Sequence, residues 1–453
     1  MKIKSLKIKN FRNITRADIN FGDINVLTGR NSSGKSNFLL ALSTILETRK
    51  DYSDMFARNT VSIGAGKRTT TFKATVTDVK QRTCFIEDTS KNFFCVEPNE
   101  FIFEKIIDKN STTVSQKLFF SGKKFENKKK EIDWTTFSKD IKIFDENADL
   151  VKEPELVYEE SFSNDSNVEE MNVIKSKKSD IPHYENYLGF FHLLKEGVLS
   201  NVSSENQNEK DIINSISIHK YVTDKGNEEI YKEAAMRVKD DVLTAKTSIN
   251  KSKFIFLIAD IQKDAKAYKR YREDLAFFTK GIVKDININS RGVLEVSSPN
   301  GPEGIWTISN GTSVLAFFIT LVNWLGLPFN AKSYKTPSVI LLDETDAIIH
   351  PTILKEFIDI LRSLSRKVQV FITTHSPYFL DGFSSDEIYY IKDSASMAEN
   401  KQGMNRCNIY DYKTILDNLP SDQQSLLKEM KNSELFIGAV LDGLFPVNEL
   451  END

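Results

Sequence analysis

The chain is 453 residues and 51.7 kDa, long enough for two or three lobes around a sizeable core. Apolar residues make up 40% and charged residues 28%, with 31 Phe against 11 Pro and 19 Gly, which excludes a disordered or collagen-like chain. A net charge of -3 excludes a protein that is cationic as a whole, so contact with nucleic acid or anionic lipid would need a local patch.

The opening MKIKSLKIKNFRN carries a charge at nearly every second residue and no apolar stretch, so it reads as a strand over residues 3–9 and not as a secretory leader. A second strand over residues 23–28 runs through GRNSSGKS into FLLALSTILE, a buried helix. Between residues 69 and 125, segments rich in Val, Thr, Phe and Ile are separated by Asp, Asn, Lys and Gly, the pattern of an antiparallel meander. The Lys-rich stretch at 123–133 closes it, as a solvated hairpin tip or as a nucleic-acid contact. Cys84, Cys95 and Cys407 form no CxxC pair, which argues against a zinc site or disulfide framework and for a reduced, cytoplasmic protein.

Residues 134–284 read as polar and helical, with an acidic loop at 151–168 and helical stretches within 230–282 that are too brief for a coiled-coil arm. After Asp285 come strands in ININS, VLEVSS and IWTIS, a helix at 312–325, a strand at 338–342, a helix at 352–364 and a strand at 368–373. That alternation implies a parallel sheet. The longest apolar run, 314–329, is interrupted by Thr320, Asn323 and Gly326 and falls short of the ~20 residues of a membrane span. The expected fold is therefore α/β, a phosphate-loop ATPase head with an N-terminal antiparallel meander. Three parts are expected: 1–133, a helical insertion at 134–285, and 286–453.

The strongest chemical signal is Gly29-Arg-Asn-Ser-Ser-Gly34-Lys35-Ser36, a complete G-x-x-x-x-G-K-[ST] between a strand and a helix. Glycines let the backbone of Gly29, Asn31, Ser32, Ser33 and Gly34 curl so that N–H groups face nucleotide phosphates. Lys35 can bridge the outer phosphates and Ser36 can ligate Mg2+, with Asn37 following directly. The second signal is SVILLDE, a buried strand delivering Asp343 and Glu344 at its C-terminal end, where open α/β sheets bind ligands. Asp343 suits Mg2+, and Glu344 suits orientation or deprotonation of the attacking water. A third strand ends in Thr-Thr-His375-Ser376, whose imidazole can meet a γ-phosphate or that water. Last, Ile308-Ser309-Asn310-Gly311-Thr312 opens an apolar helix, with Ser309 as N-cap.

The ordered set NFR, GRNSSGKSN, ISNGT, ILLDETDAIIHP and ITTHSP resembles the ATP-binding-cassette ATPases of the RecF, SMC and OLD branch, most of all stand-alone AAA-family ATPases of the OLD type. The resemblance implies ATP and Mg2+, and a homodimer or higher homo-oligomer in which Ser309, Gly311 and Thr312 cap the nucleotide of a second subunit. It puts Asp346 where the family's D-loop crosses that interface, with helix capping as the alternative, and Arg12 near the nucleotide, with a plain surface arginine as the alternative. The family's Q-loop glutamine stays open between Gln81 and Gln116. ISNGT in place of LSGGQ argues against a membrane transporter. Too few residues follow His375 for the metal-binding nuclease domain of OLD proteins, so the resemblance implies a separately encoded, nuclease-like effector, as in phage-defence systems of the PARIS, Septu or Rlo kinds. A RecF-like repair ATPase that binds DNA directly is the alternative.

Overall fold

Alternating basic and apolar residues make β1 (Lys2–Phe11) a strand with one dry side, on which Ile3, Leu6 and Ile8 are fully buried. It turns through Arg12 and Asn13 into β2 (Ile14–Asn20), and β3 (Ile24–Gly29), buried along its whole length, leads into α1 (Lys35–Leu46). The computed structural model describes residues 2–31, 33–46, 69–77, 84–87, 93–108, 113–126, 149–163, 198–200, 251–288, 294–299, 301–304, 308–328, 331, 339–393, 407–417 and 430–437.

The meander follows as β4 (Thr69–Thr77), β5 (Cys84–Glu87), β6 (Phe93–Asp108) and β7 (Thr113–Glu126), all antiparallel to their partners. NFFCVEP and EFIFEKII fuse into the single long β6, and the pairing slips between Pro98 and Glu100, because a proline cannot donate to the ladder. A helical insertion is expected over 134–285, most of which lies outside the described residues. Its described residues include β8 (Asp149–Ser163) and β9 (Val198–Ser200) as well as the helices α2 (Lys251–Gln262) and α3 (Ala265–Phe278). Most of the expected acidic loop is thus strand β8, with Asp149 opposite Lys124 and Glu159 opposite Lys117 on β7. Residues 127–133 of the Lys-rich stretch, Gln81 and the side chain of Gln116 lie outside the described residues.

A small antiparallel sheet of β10 (Asp285–Ile288), β11 (Leu294–Ser298) and β12 (Gly301–Gly304) comes next, its third strand lying just before the expected IWTIS. Then come α4 (Asn310–Leu325), β13 (Val339–Asp343), α5 (Leu354–Ser365), β14 (Gln369–Thr373), α6 (Pro377–Leu380), β15 (Ile388–Asp393), β16 (Cys407–Asp411), α7 (Tyr412–Asp417) and α8 (Asn432–Ile437). Among the described residues one 13-stranded mixed sheet runs β8-β7-β6-β4-β1-β2-β16-β15-β3-β14-β13-β9, with β5 beside β6. Its centre, β15-β3-β14-β13-β9, is parallel.

Both faces of that centre are covered, which explains the mainly apolar runs of β3, β13 and β14. Val26, Ile340, Leu342, Val370 and Ile372 face a core shared with α2 to α5, while Leu27, Val339, Leu341 and Phe371 face one shared with α1. Helix α5 buries Phe357, Ile360, Leu361 and Leu364, the i, i+3, i+4, i+7 stripe of an amphipathic helix. Each such side chain contributes about 1.5–3 kcal/mol. Buried Gln369 ties strand β1 to β14: its amide oxygen accepts from Ile3 N at 2.8 Å and its NH2 donates to Ile3 O and Gly22 O, both at 2.8 Å. No helix among the described residues is long and apolar enough to cross a membrane.

Candidate nucleotide site

Parallel pairing of β15, β3, β14 and β13 brings their C-terminal ends to one edge, so the loops after β3, β13 and β14 meet there. At the first, Gly34 has φ +105 and a Cβ would lie 2.7–2.9 Å from the Asn13 amide and Cys407 Sγ; only glycine fits where the β1–β2 turn packs on the loop. Lys35 is buried, its ammonium donating to Gly29 O at 3.0 Å and Arg30 O at 2.9 Å. Asn31 is exposed, and Ser33 Oγ is buried with no hydrogen-bond partner among the described residues. An unsatisfied hydroxyl inside the loop is the mark of a site shaped for an anion that supplies the missing partner. Ser32 lies outside the described residues.

Ser36 Oγ donates to Asp343 Oδ1 at 3.1 Å, joining α1 to the end of β13, and the same carboxylate oxygen accepts from Thr373 Oγ1 at 2.5 Å. A hydroxyl and a carboxylate within reach of each other are the oxygen donor set a hard divalent cation takes, so these residues fit Mg2+. Glu344 sits in the left-handed region, φ 49 and ψ 33, with its N–H bonded to Thr373 O at 3.1 Å and Oγ1 at 3.0 Å. Such a backbone costs a non-glycine residue about 1 kcal/mol or more and turns the side chain outward from the strand end. Its Oε1 lies 2.8 Å from His375 Nε2. Burial holds the imidazole below its ordinary pKa and Lys35 adds to this, while Glu344 pulls it upward. A neutral imidazole donating Nε2–H to the carboxylate is the consistent state.

Arg12 follows β1 with φ 51, and its Nη1 donates to Asn37 Oδ1 at 2.9 Å while Asn37 Nδ2 donates to Asn13 Oδ1 at 2.7 Å. The turn is therefore fixed to the first helical turn of α1. Arg12 belongs to the loop's surroundings and is not a loose surface side chain.

Asp346 is only 6% exposed, and its Oδ2 accepts from Thr374 Oγ1 at 2.6 Å, so its side chain packs on the segment that follows β14. Thr374 Oγ1 in turn accepts from Ser376 N at 2.9 Å, which links Asp346 to the segment carrying His375. Ser309 caps α4, its Oγ accepting from Thr312 N at 3.3 Å and meeting Thr312 Oγ1 at 2.9 Å; Ser309 is exposed while Gly311 and Thr312 are buried. α4 packs on α2, α3 and α5. The structure thus brings Lys35, Ser36, Asp343, Glu344 and His375 together and sets the Ser309 segment on the helical layer. The motif reading missed Thr373, Thr374 and Asn13. The two threonines stand directly before His375 at the end of the same buried strand, and Asn13 directly follows Arg12.

Burial pushes the Asp346 carboxyl up to about 6, with Glu344 adding to this and the Thr374 hydrogen bond opposing it. A carboxyl raised in the fold costs stability progressively as pH rises from about 4 to about 6, and the cost is complete at neutral pH. Asp346→Asn is therefore expected to leave the thermal midpoint at pH 7.5 no lower than wild type and to flatten its pH dependence between pH 4 and 6. Its kcat should stay within about twofold of wild type, because the amide oxygen still accepts from Thr374 Oγ1. Thermal unfolding and steady-state assays over pH check both.

A phosphate loop, an acidic strand end and a histidine strand end on one edge of a doubly covered sheet define a phosphate-loop ATPase head. Residues 1–380 match the family model described as AAA ATPase domain, and the chain belongs to that family. A 47-residue stretch is 47% identical to Endonuclease GajA of Bacillus cereus (strain VD045), spanning 10% of this chain and 8% of that protein. The chain thus matches under a tenth of that relative's length. Among solved structures, an Smc head domain with an extended coiled coil, bound to the C-terminal domain of ScpA and derived from Pyrococcus furiosus, is 14% identical, with a TM-score of 0.47 over 92% of this chain and 98% of that one. The SMC head domain from Thermotoga maritima is 12% identical, with a TM-score of 0.39 over 91% and 99%.

Proposed function

We propose that the protein hydrolyses ATP slowly and uses the ATP-bound state to close two copies on each other, controlling a separately encoded, nuclease-like effector in phage defence. The observation that carries the hydrolytic part is the convergence of Ser36 with Asp343 at 3.1 Å and of Glu344 with His375 at 2.8 Å beside the phosphate loop. Loop N–H groups and Lys35 bind the phosphates, and the Arg12–Asn37 pair orients the nucleotide from the turn side. Ser36 and Asp343 would hold Mg2+, which neutralises charge on the outer phosphates. Glu344 orients a water and takes its proton as the water oxygen bonds to the γ-phosphorus and the bond to the ADP oxygen breaks. His375 donates to Glu344 at rest and is placed to donate to the γ-phosphate once that carboxylate engages the water.

The Ser309–Thr312 segment of a second copy, offering an exposed serine at a helix start, would cap the phosphates from outside. The local likeness to an endonuclease supports the link to nuclease activity, and the strand-rich meander beside the head offers surface for an effector. The test is sedimentation with and without a non-hydrolysable ATP analogue, alone and with the product of the adjacent gene. The expected result is a shift to twice the mass with the analogue and co-sedimentation of the second protein. A chain that stays monomeric while saturated with nucleotide would overturn the reading.

A further inference from the structure

Parallel register sets Asp343 on β13 directly beside Thr373 on β14. Side chains alternate between the two faces of a sheet, so every second residue shares a face. Val339 and Leu341 on β13 and Phe371 on β14 face the core shared with α1, and Asp343 and Thr373 come next in that alternation. They therefore emerge on the side of α1, whose first turn carries Ser36. Thr374, one residue on, sends its hydroxyl to Asp346 instead. Of two adjacent threonines, the first lies with Ser36 and Asp343.

Thr373 is fully buried, so it acts through its neighbours and not on the nucleotide itself. Its Oγ1 accepts from Glu344 N at 3.0 Å and donates to Asp343 Oδ1 at 2.5 Å. A hydroxyl has a single proton to give. With the Glu344 N–H held on the oxygen, the rotor is fixed and that proton goes to the Asp343 carboxylate, at the separation of a charge-assisted bond. The same Oδ1 accepts from Ser36 Oγ at 3.1 Å, so two hydroxyls from different elements orient one carboxylate. Ser36 has a further duty toward the cation, and Thr373 does not. Packing alone at this buried strand end would be met by valine, which has the same branched shape.

We infer that Thr373 is a positioning residue for the divalent cation: from the strand that leads into His375, it holds the Asp343 carboxylate aimed at the metal position. This rests on the reading of Asp343 as a Mg2+ ligand and goes beyond it by naming the group that sets that ligand. Hydrogen-bonded partners of metal ligands carry about 10- to 100-fold in metal affinity or activity. The loss should therefore appear in metal dependence and not in the contacts the phosphate loop makes by itself.

The test is the affinity of the full chain for a fluorescent non-hydrolysable ATP analogue, titrated in EDTA and over a series of Mg2+ concentrations. Thr373→Val keeps the shape and removes the proton donor, and Thr373→Ser restores the donor. Thr320→Val, in which a buried threonine of α4 loses its bonds to Ala316 O and the Tyr271 hydroxyl, controls for the general cost of losing a buried hydroxyl. Thr373→Val is expected to need about 10- to 100-fold more Mg2+ for half-maximal effect, with affinity in EDTA within about twofold of wild type. Thr373→Ser should return to within about threefold of wild type, because the hydroxyl is back in reach of Asp343. Thr320→Val should lower the thermal midpoint and leave the Mg2+ requirement unchanged. Should valine prevent folding, Thr373→Cys, whose thiol is a weak donor, carries the same expectation. An unchanged Mg2+ requirement in Thr373→Val, an equal rise in Thr373→Ser, or an equal loss of affinity in EDTA would overturn the role. Asp343→Asn tells this failure from that of the Mg2+ assignment. If Asp343→Asn abolishes the Mg2+ effect while Thr373→Val does not shift it, the positioning role alone falls; if Asp343→Asn leaves the Mg2+ effect intact, both fall.

Discussion

Glu344→Gln is expected to lower kcat for ATP hydrolysis by 100-fold or more, while the affinity for ATP stays within about threefold of wild type. A positioned general base contributes about 10² to 10⁴ in rate, and the amide keeps size and hydrogen-bonding shape while losing the ability to take a proton. The geometry makes this a clean test. Glu344 N–H is fixed by Thr373 O and Oγ1, so the backbone that aims the side chain is held from β14 and not by the carboxylate itself. Its side chain is about half exposed and its Oε1 meets His375 Nε2 at 2.8 Å, so replacing one oxygen buries no new unsatisfied group. Single-turnover assays with ATP in excess of its Kd separate the two effects. A variant that hydrolyses at the wild-type rate would show that water is activated by another group. If ATP binding collapses together with kcat, Glu344 is holding the site together and is not acting as the base.

How much of this site can be read from residues follows from what each link needs. Strands β3, β13 and β14 are legible because a parallel strand covered on both faces must be apolar throughout and can place polar chemistry only at its end. Lys35, Asp343, Glu344 and His375 all stand at such ends. Asp346 is not legible in the same way: its place after the acidic pair suggests outward display, but a short 3-10 turn over Thr345–Ile348 rotates it inward onto Thr374. Strand β8 is hidden for a different reason. Its acidic composition reads as loop, and its pairing with β7 is a fact about register between distant segments. Strand β12, Gly-Pro-Glu-Gly, carries no strand propensity at all and exists by pairing with β11.

Lys35→Ala is expected to abolish measurable ATP binding, with a loss of 100-fold or more in affinity. Lys35 is only 3% exposed, and its ammonium donates to the carbonyls of Gly29 and Arg30 at 3.0 and 2.9 Å. Phosphates offer it full negative charge in the same buried position, where a charge-assisted hydrogen bond is roughly twice as strong as a neutral one and is less screened than at the surface. That difference drives binding, and alanine removes all of it while leaving the loop N–H groups in place. The same substitution leaves two loop carbonyls without this donor at a cost of about 1–2 kcal/mol, so a lower thermal midpoint in the absence of nucleotide is also expected. The two effects separate by measuring the midpoint with and without ATP and Mg2+. For wild type at 100 times Kd, binding stabilises the fold by about 2.7 kcal/mol and raises the midpoint; for Lys35→Ala the two curves should superimpose. A nucleotide-dependent shift that survives in Lys35→Ala would mean that the principal phosphate contacts lie elsewhere, and the assignment of the loop after β3 as the nucleotide site would fall with it.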